Sequence, residues 1–423
     1  MSVLPFSLLP DNSSIGDKGQ LIIGGCDTLE LAAEFGTPLF VYDETHLRAR
    51  CREAVAAFGP GVNFASKAFL CTAMARLAAE EGCNIDVSTG GEYHVARAAG
   101  VPADRLVLHG NNKSVAELRR AMTEGIGRII IDSFDEIDRI EALVAEGCPV
   151  PRALIRVTPG VEAHTHEFVR TGQDDSKFGF GLASGQAELA VQRCIGSPGI
   201  DLVGLHAHIG SQVFDARFFE MAIEVLAPFV ERHALPELSI GGGLGVAYVE
   251  GDEAATITEW GRVVHEACAA AGIAAHVTAE PGRALVAQAA VTLYSVGTIK
   301  DIPEIRTYVS VDGGMSDNPR PVLYDSAYEA FLPREVAADR TRAVTVVGKH
   351  CESGDILVRD ALVPEDLEIG DILATPVTGA YGHSMASNYN RVTRPAVVFV
   401  ADGRARLVVR RETLDDLLLL DVD

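Results

Sequence analysis

VNFASKAF, residues 62–69, is the stretch on which the fold turns. Val62, Phe64 and Ser66 alternate with Asn63, Ala65 and Lys67, the period-two pattern of a strand with two faces. Its one charge, Lys67, comes near the end. An ammonium turned inward is costly unless it is paired, neutralised or covalently occupied. Taken alone, the stretch favours a plainer account in which the strand stops at Ser66 and Lys67 is solvated. The segments that follow decide between the two.

Seven more short strands follow: NIDVST (84–89), RLVLHG (105–110), RIIIDS (128–133), RALIRVTP (152–159), LVGLHAHIG (202–210), LSIGGG (238–243) and AHVTAEPG (275–282). Amphipathic segments lie between them, among them CTAMARLAAEEG, SVAELRRAMTEG and FDEIDRIEALVAEG, each closing on a glycine placed as a helix C-cap. Eight βα alternations over roughly 220 residues are the signature of a (β/α)8 barrel. A doubly wound open sheet needs no eighth strand, and no GxGxxG follows the first one. The helical ETHLRARCREAVAAFG (44–59) is expected to close the barrel from its N-terminal side.

Beyond residue 285 the pattern changes. AVTLYSVGTIKD, RTYVSVDGG, RAVTVVGKHC, DILATPV and RPAVVFVADGRARLVVRR read as strands without regular helices between them, the last a hairpin about Asp402-Gly403. With LIIGG and PLFVYD from the first forty residues they form a mainly antiparallel β-barrel or sandwich. The fold class is α/β: a barrel domain over 44–285 and a β domain assembled from 1–43 and 286–423.

A formal charge of -23 makes nucleic acid and anionic membrane surfaces poor partners. No stretch approaches the roughly 20 apolar residues of a membrane span, and MSVLPFSLLPDNSSIG lacks the basic and apolar regions of a signal peptide, so a cytoplasmic protein is expected. Cysteines 26, 51, 71, 83, 148, 194, 268 and 351 form no CxxC pair and read as reduced thiols, mostly small buried residues.

In barrels of this kind chemistry sits at the C-terminal mouth, with phosphate often held after strands seven and eight. Lys67 ends strand one, His208 strand six, Gly241 to Gly243 strand seven and Glu280 strand eight, all on that rim. Singly, a glycine triplet is a tight turn, a strand-end histidine a spacer and EPGR an ordinary turn. Jointly, a lysine facing an acid, a flat imidazole and bare amides suit a phosphorylated, planar aldehyde. Pyridoxal phosphate fits, with the lysine forming its imine, the acid pairing the pyridinium nitrogen and backbone N–H groups cradling the phosphate.

These residues bring the chain into resemblance with the fold-type III pyridoxal-phosphate decarboxylases. The matching segments are FASKAF, DVSTGGE, HIGSQ, GGGLG, AEPGR, DGGMSDNPRPVLY, CESGD and GAYGHSMASNYN, in family order from about 62 to 390. The resemblance implies Lys67 as the imine lysine, His208 stacked on the cofactor ring and Ser211 on its phosphate. Gly242, Gly243 and the backbone from Glu280 through Gly282 to Arg283 complete the phosphate cradle, and Glu280 pairs with the ring nitrogen. Arg283, Arg320 and Tyr324 are implied to hold a distal substrate carboxylate, Glu352 a distal ammonium, and Tyr381 both cofactor and substrate. Cys351 would give the proton to the carbanion once carbon dioxide leaves. In this family CESGD comes from the neighbouring subunit, which implies a homodimer with shared sites.

Arginines and a tyrosine suit a carboxylate, and Glu352 suits an ammonium beside it. A small amino acid doubled at both ends satisfies the set; meso-diaminopimelate has that shape, ornithine and arginine do not. Two features depart from the family pattern: His383, where an aromatic residue is frequent, and Asp325–Ser326, where glycine and alanine are common. Alternatives are a decarboxylase of another diamino or polyamine-like acid, or a non-catalytic cofactor-binding homologue. An alanine racemase would set an arginine against the ring nitrogen.

Other residues are set aside. Asp86 and Glu92 read as supports or helix-start acids, and Arg156 as a partner within the barrel. His109, His164, His166 and His206 lack a third placed ligand, so no metal is expected. The loop around 159–178 has the length and glycine content that a lid would permit.

Overall fold

The structure, a computed structural model, describes residues 3–160 and 176–422. The possible lid around 159–178 falls largely outside them, as do His164 and His166. The chain separates into two compact units: Arg50–Gly245 with Ala254–Ala284, and Met1–Ala49 with Val246–Glu253 and Leu285–Asp423.

All eight expected barrel strands are present in the first unit. They are β1 (Asn63–Ala65), β2 (Asn84–Val87), β3 (Leu106–Leu108), β4 (Arg128–Ile131), β5 (Arg152–Thr158), β6 (Asp201–Ala207), β7 (Glu237–Ser239) and β8 (His276–Thr278). They pair in chain order, every pair parallel. The ring closes where Asn63 N–H donates to Ala279 O at 2.9 Å and Ala65 N–H to Pro281 O at 3.1 Å. Thr89, Ser114, Ser133 and Thr256 cap four of the helices between strands; Ser114 and Glu117 form a reciprocal capping box, and Gly125 ends that helix in the left-handed region at φ 79°.

The helix Glu44–Phe58 corrects one expectation. Its Arg50–Phe58 half does not cross the barrel floor but lies in the outer ring. On one side Arg52 pairs with Glu81 at 2.6 Å; on the other Phe58 packs edge-on against Trp260 with centroids 4.7 Å apart, and Glu53 accepts from Thr258 N–H. With seven helices between eight strands among the described residues, the ring has one place left, and burying Phe58 beside Trp260 fills it.

Contacts between strands that are not neighbours show which residues point inward. Arg128 on β4 clasps Glu237 on β7 at 2.8 and 2.5 Å, and Arg152 joins it at 3.0 Å, making a polar floor. Two residues further along come Val107, Ile130 and Leu154, buried with Val203 as an apolar plug. Two further still come His109, Asp132 and Arg156, part of a second polar layer at the rim. The barrel is filled in layers, as side-chain alternation on a closed sheet requires.

The second unit holds a mixed sheet, in order Ile356–Val363, Arg342–Val347, Arg306–Val311, Ala290–Ile302, Leu39–Asp43, Ala396–Ala401 and Arg404–Val409, with Ile372–Pro376 also on Ala290–Ile302. Five pairings are antiparallel and two parallel, Leu39–Asp43 with Ala396–Ala401 and Arg306–Val311 with Arg342–Val347. The Asp402-Gly403 turn joins the last two strands with both residues at positive φ, 51° and 70°, the mirror-image turn that matches strand twist. Among the described residues no helix is long and apolar enough to cross a membrane.

Candidate active site

The strand β1 ends at Ala65, and Lys67 rides a single 3-10 turn, Ser66–Ala68, with its side chain exposed between buried neighbours. The inward ammonium of the sequence reading is therefore absent, and its desolvation cost with it. The Lys67 charge nevertheless bears on Asp86 and Glu92, favouring their anions, and disfavours protonation of His208. Gly282 holds the EPGR segment against this turn: a Cβ there would meet Ala65 O at 3.0 Å and the Ala68 methyl at 3.2 Å.

The glycine triplet after β7 runs so close to its neighbours that side chains cannot fit. A Cβ on Gly242 would sit 2.2 Å from Glu280 O, and one on Gly243, at φ 116°, 2.1 Å from Gly210 O. Gly241 N–H donates to Ser239 Oγ at 3.2 Å, and Gly242 N–H to His208 Nδ1 at 3.2 Å. The second bond leaves the His208 proton on Nε2. Burial first, then the Lys67 charge, holds His208 well below the usual histidine range, so the ring is neutral and flat.

Glu280 is the centre of the rim layer. Ser239 Oγ–H donates to its Oε1 at 2.6 Å, and His206 Nε2 lies 3.0 Å from its Oε2. His109 Nε2 stands 3.7 Å from Oε1 and 3.3 Å from Asp86 Oδ1, with the two imidazole rings edge to face at 5.3 Å. Burial pushes Glu280 up, but His206, His109 and the hydrogen bonds from His206 and Ser239 outweigh it and hold the carboxyl below its ordinary range. Burial, then the Glu280 charge, drives Asp86 the other way, well above the carboxylate range. His109, His206 and Glu280 place ligating atoms within 4.8 Å of one another. Both Glu280 oxygens are already engaged, so the trio reads as a hydrogen-bond network.

The sequence reading missed this network. Asp86, His109 and His206 were set aside, yet each is the last inward residue of its strand, and tracking alternation to the end of every strand exposes them. Glu92 keeps its reading as a helix-start acid, accepting Ser88 N–H at 2.6 Å.

These residues fit pyridoxal phosphate. A carboxylate held ionised suits a pyridinium nitrogen, and a neutral flat imidazole suits a ring face. Among the described residues the amide N–H groups of Gly243 and Gly282 donate to no protein atom, which leaves them for an anion.

Arg320, Tyr324, Cys351, Glu352 and Tyr381 all lie in the other unit. Arg320 is 5% exposed, its guanidinium 4.2 Å over the Tyr248 ring and hydrogen-bonded to Tyr328 Oη. Among the described residues no carboxylate pairs with it. Tyr324 ends a short helix, and Asp325 beyond it is left-handed at φ 50°, the conformation that explains why glycine is common there. Of eight free cysteines six are buried, Cys148 is partly so, and Cys351 is exposed. Cys351 N–H donates to Asn390 Oδ1 at 3.0 Å, while Asp355 accepts His350 N–H at 2.9 Å and Met315 N–H at 2.6 Å, tying CESGD to DGGMSDN. Glu352 is exposed beside Cys351, and Tyr381 sits at φ 59°, strained for a bulky residue.

A barrel whose mouth carries unpaired amides, an acid held ionised and an accessible lysine suits one class, and the comparisons agree. Residues 44–287 match the family described as pyridoxal-dependent decarboxylase, pyridoxal binding domain, so the chain belongs to the pyridoxal-dependent decarboxylases. Within them it falls among the diaminopimelate decarboxylases. The Mycobacterium tuberculosis enzyme of that name is 48% identical over 434 residues, covering 98% of this chain and 97% of its own. The Bacillus subtilis enzyme is 47% identical over 430 residues, covering 98% of each. The crystal structure of the M. jannaschii diaminopimelate decarboxylase in complex with L-lysine superposes with a TM-score of 0.91 at 31% identity over 98% of each chain.

Proposed function

We propose that this enzyme removes carbon dioxide from meso-2,6-diaminopimelate to give L-lysine, using pyridoxal phosphate, as the last step of lysine biosynthesis. The carrying observation is Arg320: a buried cation clasped by two tyrosines, with no carboxylate of its own among the described residues, is a receptor for a substrate carboxylate. A product with only one carboxylate, lysine, occupies the M. jannaschii structure.

When bound, the cofactor supplies an electron sink for the carbanion left by decarboxylation. The chain's own residues do the rest. Lys67 would hold the cofactor and offers an amine at the rim. Glu280 would set a negative charge against the ring nitrogen, and His208, neutral, would face the ring without competing for that charge. Ser211, with the amides of Gly243 and Gly282 and the adjoining backbone of Gly242 and Arg283, would hold the phosphate. Arg283, Arg320 and Tyr324 orient the distal carboxylate, Glu352 takes the distal ammonium, and Tyr381 touches both cofactor and substrate. Cys351 Sγ–H would supply the proton that replaces the departing carboxyl group. Exposure of Cys351 and Glu352 supports their service to a neighbouring subunit, in a cytoplasmic homodimer with shared sites.

The assay is release of carbon dioxide and lysine from meso-diaminopimelate, with ornithine, arginine and D-lysine alongside; turnover of ornithine in preference overturns the substrate assignment. For the shared site, mixing inactive Lys67→Ala with inactive Cys351→Ala protein should restore about a quarter of wild-type activity, the share expected from random dimer exchange. No recovery after exchange has been verified overturns the trans arrangement.

A further inference from the structure

We propose that the rim layer holds a shared proton: Asp86 keeps it, hydrogen-bonded to His109, while His206 and Ser239 fix Glu280 as an anion. This rests on the reading of Glu280 as the partner of the cofactor ring nitrogen.

The geometry carries it. Asp86 Oδ1 and His109 Nε2 are both buried without a hydrogen-bond partner, and they face each other at 3.3 Å. Two orphaned atoms at that separation are both satisfied by one proton between them. Glu280 is differently provided, with Ser239 Oγ–H on one oxygen and His206 Nε2 on the other. Two donors favour the ionised form at Glu280, whereas Asp86 Oδ1 faces only one His109 nitrogen, too little to offset burial and the Glu280 charge.

Charge counting points the same way. Asp86 and Glu280 are 6% and 7% exposed, and among the described residues neither is paired with a lysine or arginine. The basic groups that face the layer are otherwise occupied: Arg156 turns to Asp132 at 3.8 Å and Lys113 to Glu136 at 2.7 Å, while Lys67 is exposed. The remaining titratable neighbours are Glu92, another acid, and His208, which is neutral. Two bare carboxylates in that setting repel, and one retained proton removes the repulsion. The rival location is His109 as an imidazolium; burial pushes His109 down to about 4, which opposes it. Asp86 and the two histidines are thus positioning residues, acting on the cofactor through Glu280.

The test is isotope-edited infrared spectroscopy on holoenzyme labelled with 13C-carboxyl aspartate. The expected result is a protonated-carboxyl stretch at pH well above 7, where Asp317, pushed up to about 7, has ionised. That stretch disappears in Asp86→Asn. Asn mimics the protonated acid, so this conservative variant should keep pyridoxal phosphate affinity within about threefold, whereas His206→Leu, losing a hydrogen bond to a charged group, should weaken it about tenfold or more. Absence of the stretch from labelled wild type, or a 15N NMR imidazolium signal at His109 in its place, overturns the proposal. Failure of the cofactor reading looks different: wild type would show no Lys67-dependent visible band, while the infrared measurement on the same protein would still locate the proton.

Discussion

At one end of the barrel Arg128 and Arg152 close on Glu237; at the other, Asp86, His109, His206 and Glu280 gather, and among the described residues no lysine or arginine pairs with either acid. Both groups point inward, and the same apolar plug separates them. The floor is paired and half-wet, its Arg152 and Glu237 side chains 48% and 20% exposed. Water and opposite charge leave it little to gain or lose, which is what a structural end requires. The rim is dry and charge-imbalanced, and its titrations are pushed apart in pairs: Glu280 down, Asp86 up. An imbalance of that kind waits for a ligand carrying the complementary charge.

Parallel substitutions at the two ends should therefore part company. Glu280→Gln removes the charge proposed to face the ring nitrogen and should lower kcat about 100- to 1000-fold, with an altered visible band of the bound cofactor. Glu237→Gln should leave kcat near wild type and cost about 1 kcal/mol in urea unfolding, since a partly exposed ion pair contributes little more. Similar kcat losses at both ends would erase the distinction between a working rim and a structural floor.

The same contrast explains what could be read from the chain beforehand. Each barrel strand announces itself locally, through β-branched alternation bounded by caps and glycines, and all eight were found that way. Pairings made by distant segments carry no such local mark. The parallel partnership of Leu39–Asp43 with Ala396–Ala401 is one, and the ring position of helix Glu44–Phe58 beside Trp260 is another. The strand Ile356–Val363 escaped because Arg359-Asp360 interrupts its apolar run, with Asp360 at φ 49° and the register shifting nearby. At the site, Lys67, Glu280 and the glycines stood out as odd residues at strand ends. Asp86, His109 and His206 looked like ordinary core polar groups, because their meeting depends on barrel closure. The roles given to Arg320, Glu352 and Cys351 came from resemblance, since loops of the second unit have no periodicity to read.

His383 offers the finest test, because it departs from the family pattern in a place where chemistry should not care. Its ring meets Phe40 edge-on, centroids 5.8 Å apart at 88°, as an aromatic residue would. Burial pushes the imidazole down to about 4 from 6.5, so it is neutral in the folded protein. As pH falls below about 6.5 the unfolded chain takes up a proton that the folded chain refuses, so stability is lost between about 6.5 and 4. The ring is partly exposed, and with solvent screening the loss at the acid end is about 1–2 kcal/mol. His383→Phe should abolish that slope, change stability by less than about 0.5 kcal/mol at pH 7.5 and keep the KM for meso-diaminopimelate. Urea midpoints at pH 5 and pH 7.5, in wild type and variant, measure the slope directly. If KM rises severalfold in the variant, His383 reaches the substrate, and the second unit has a specificity residue where its geometry indicates only a neutral aromatic spacer.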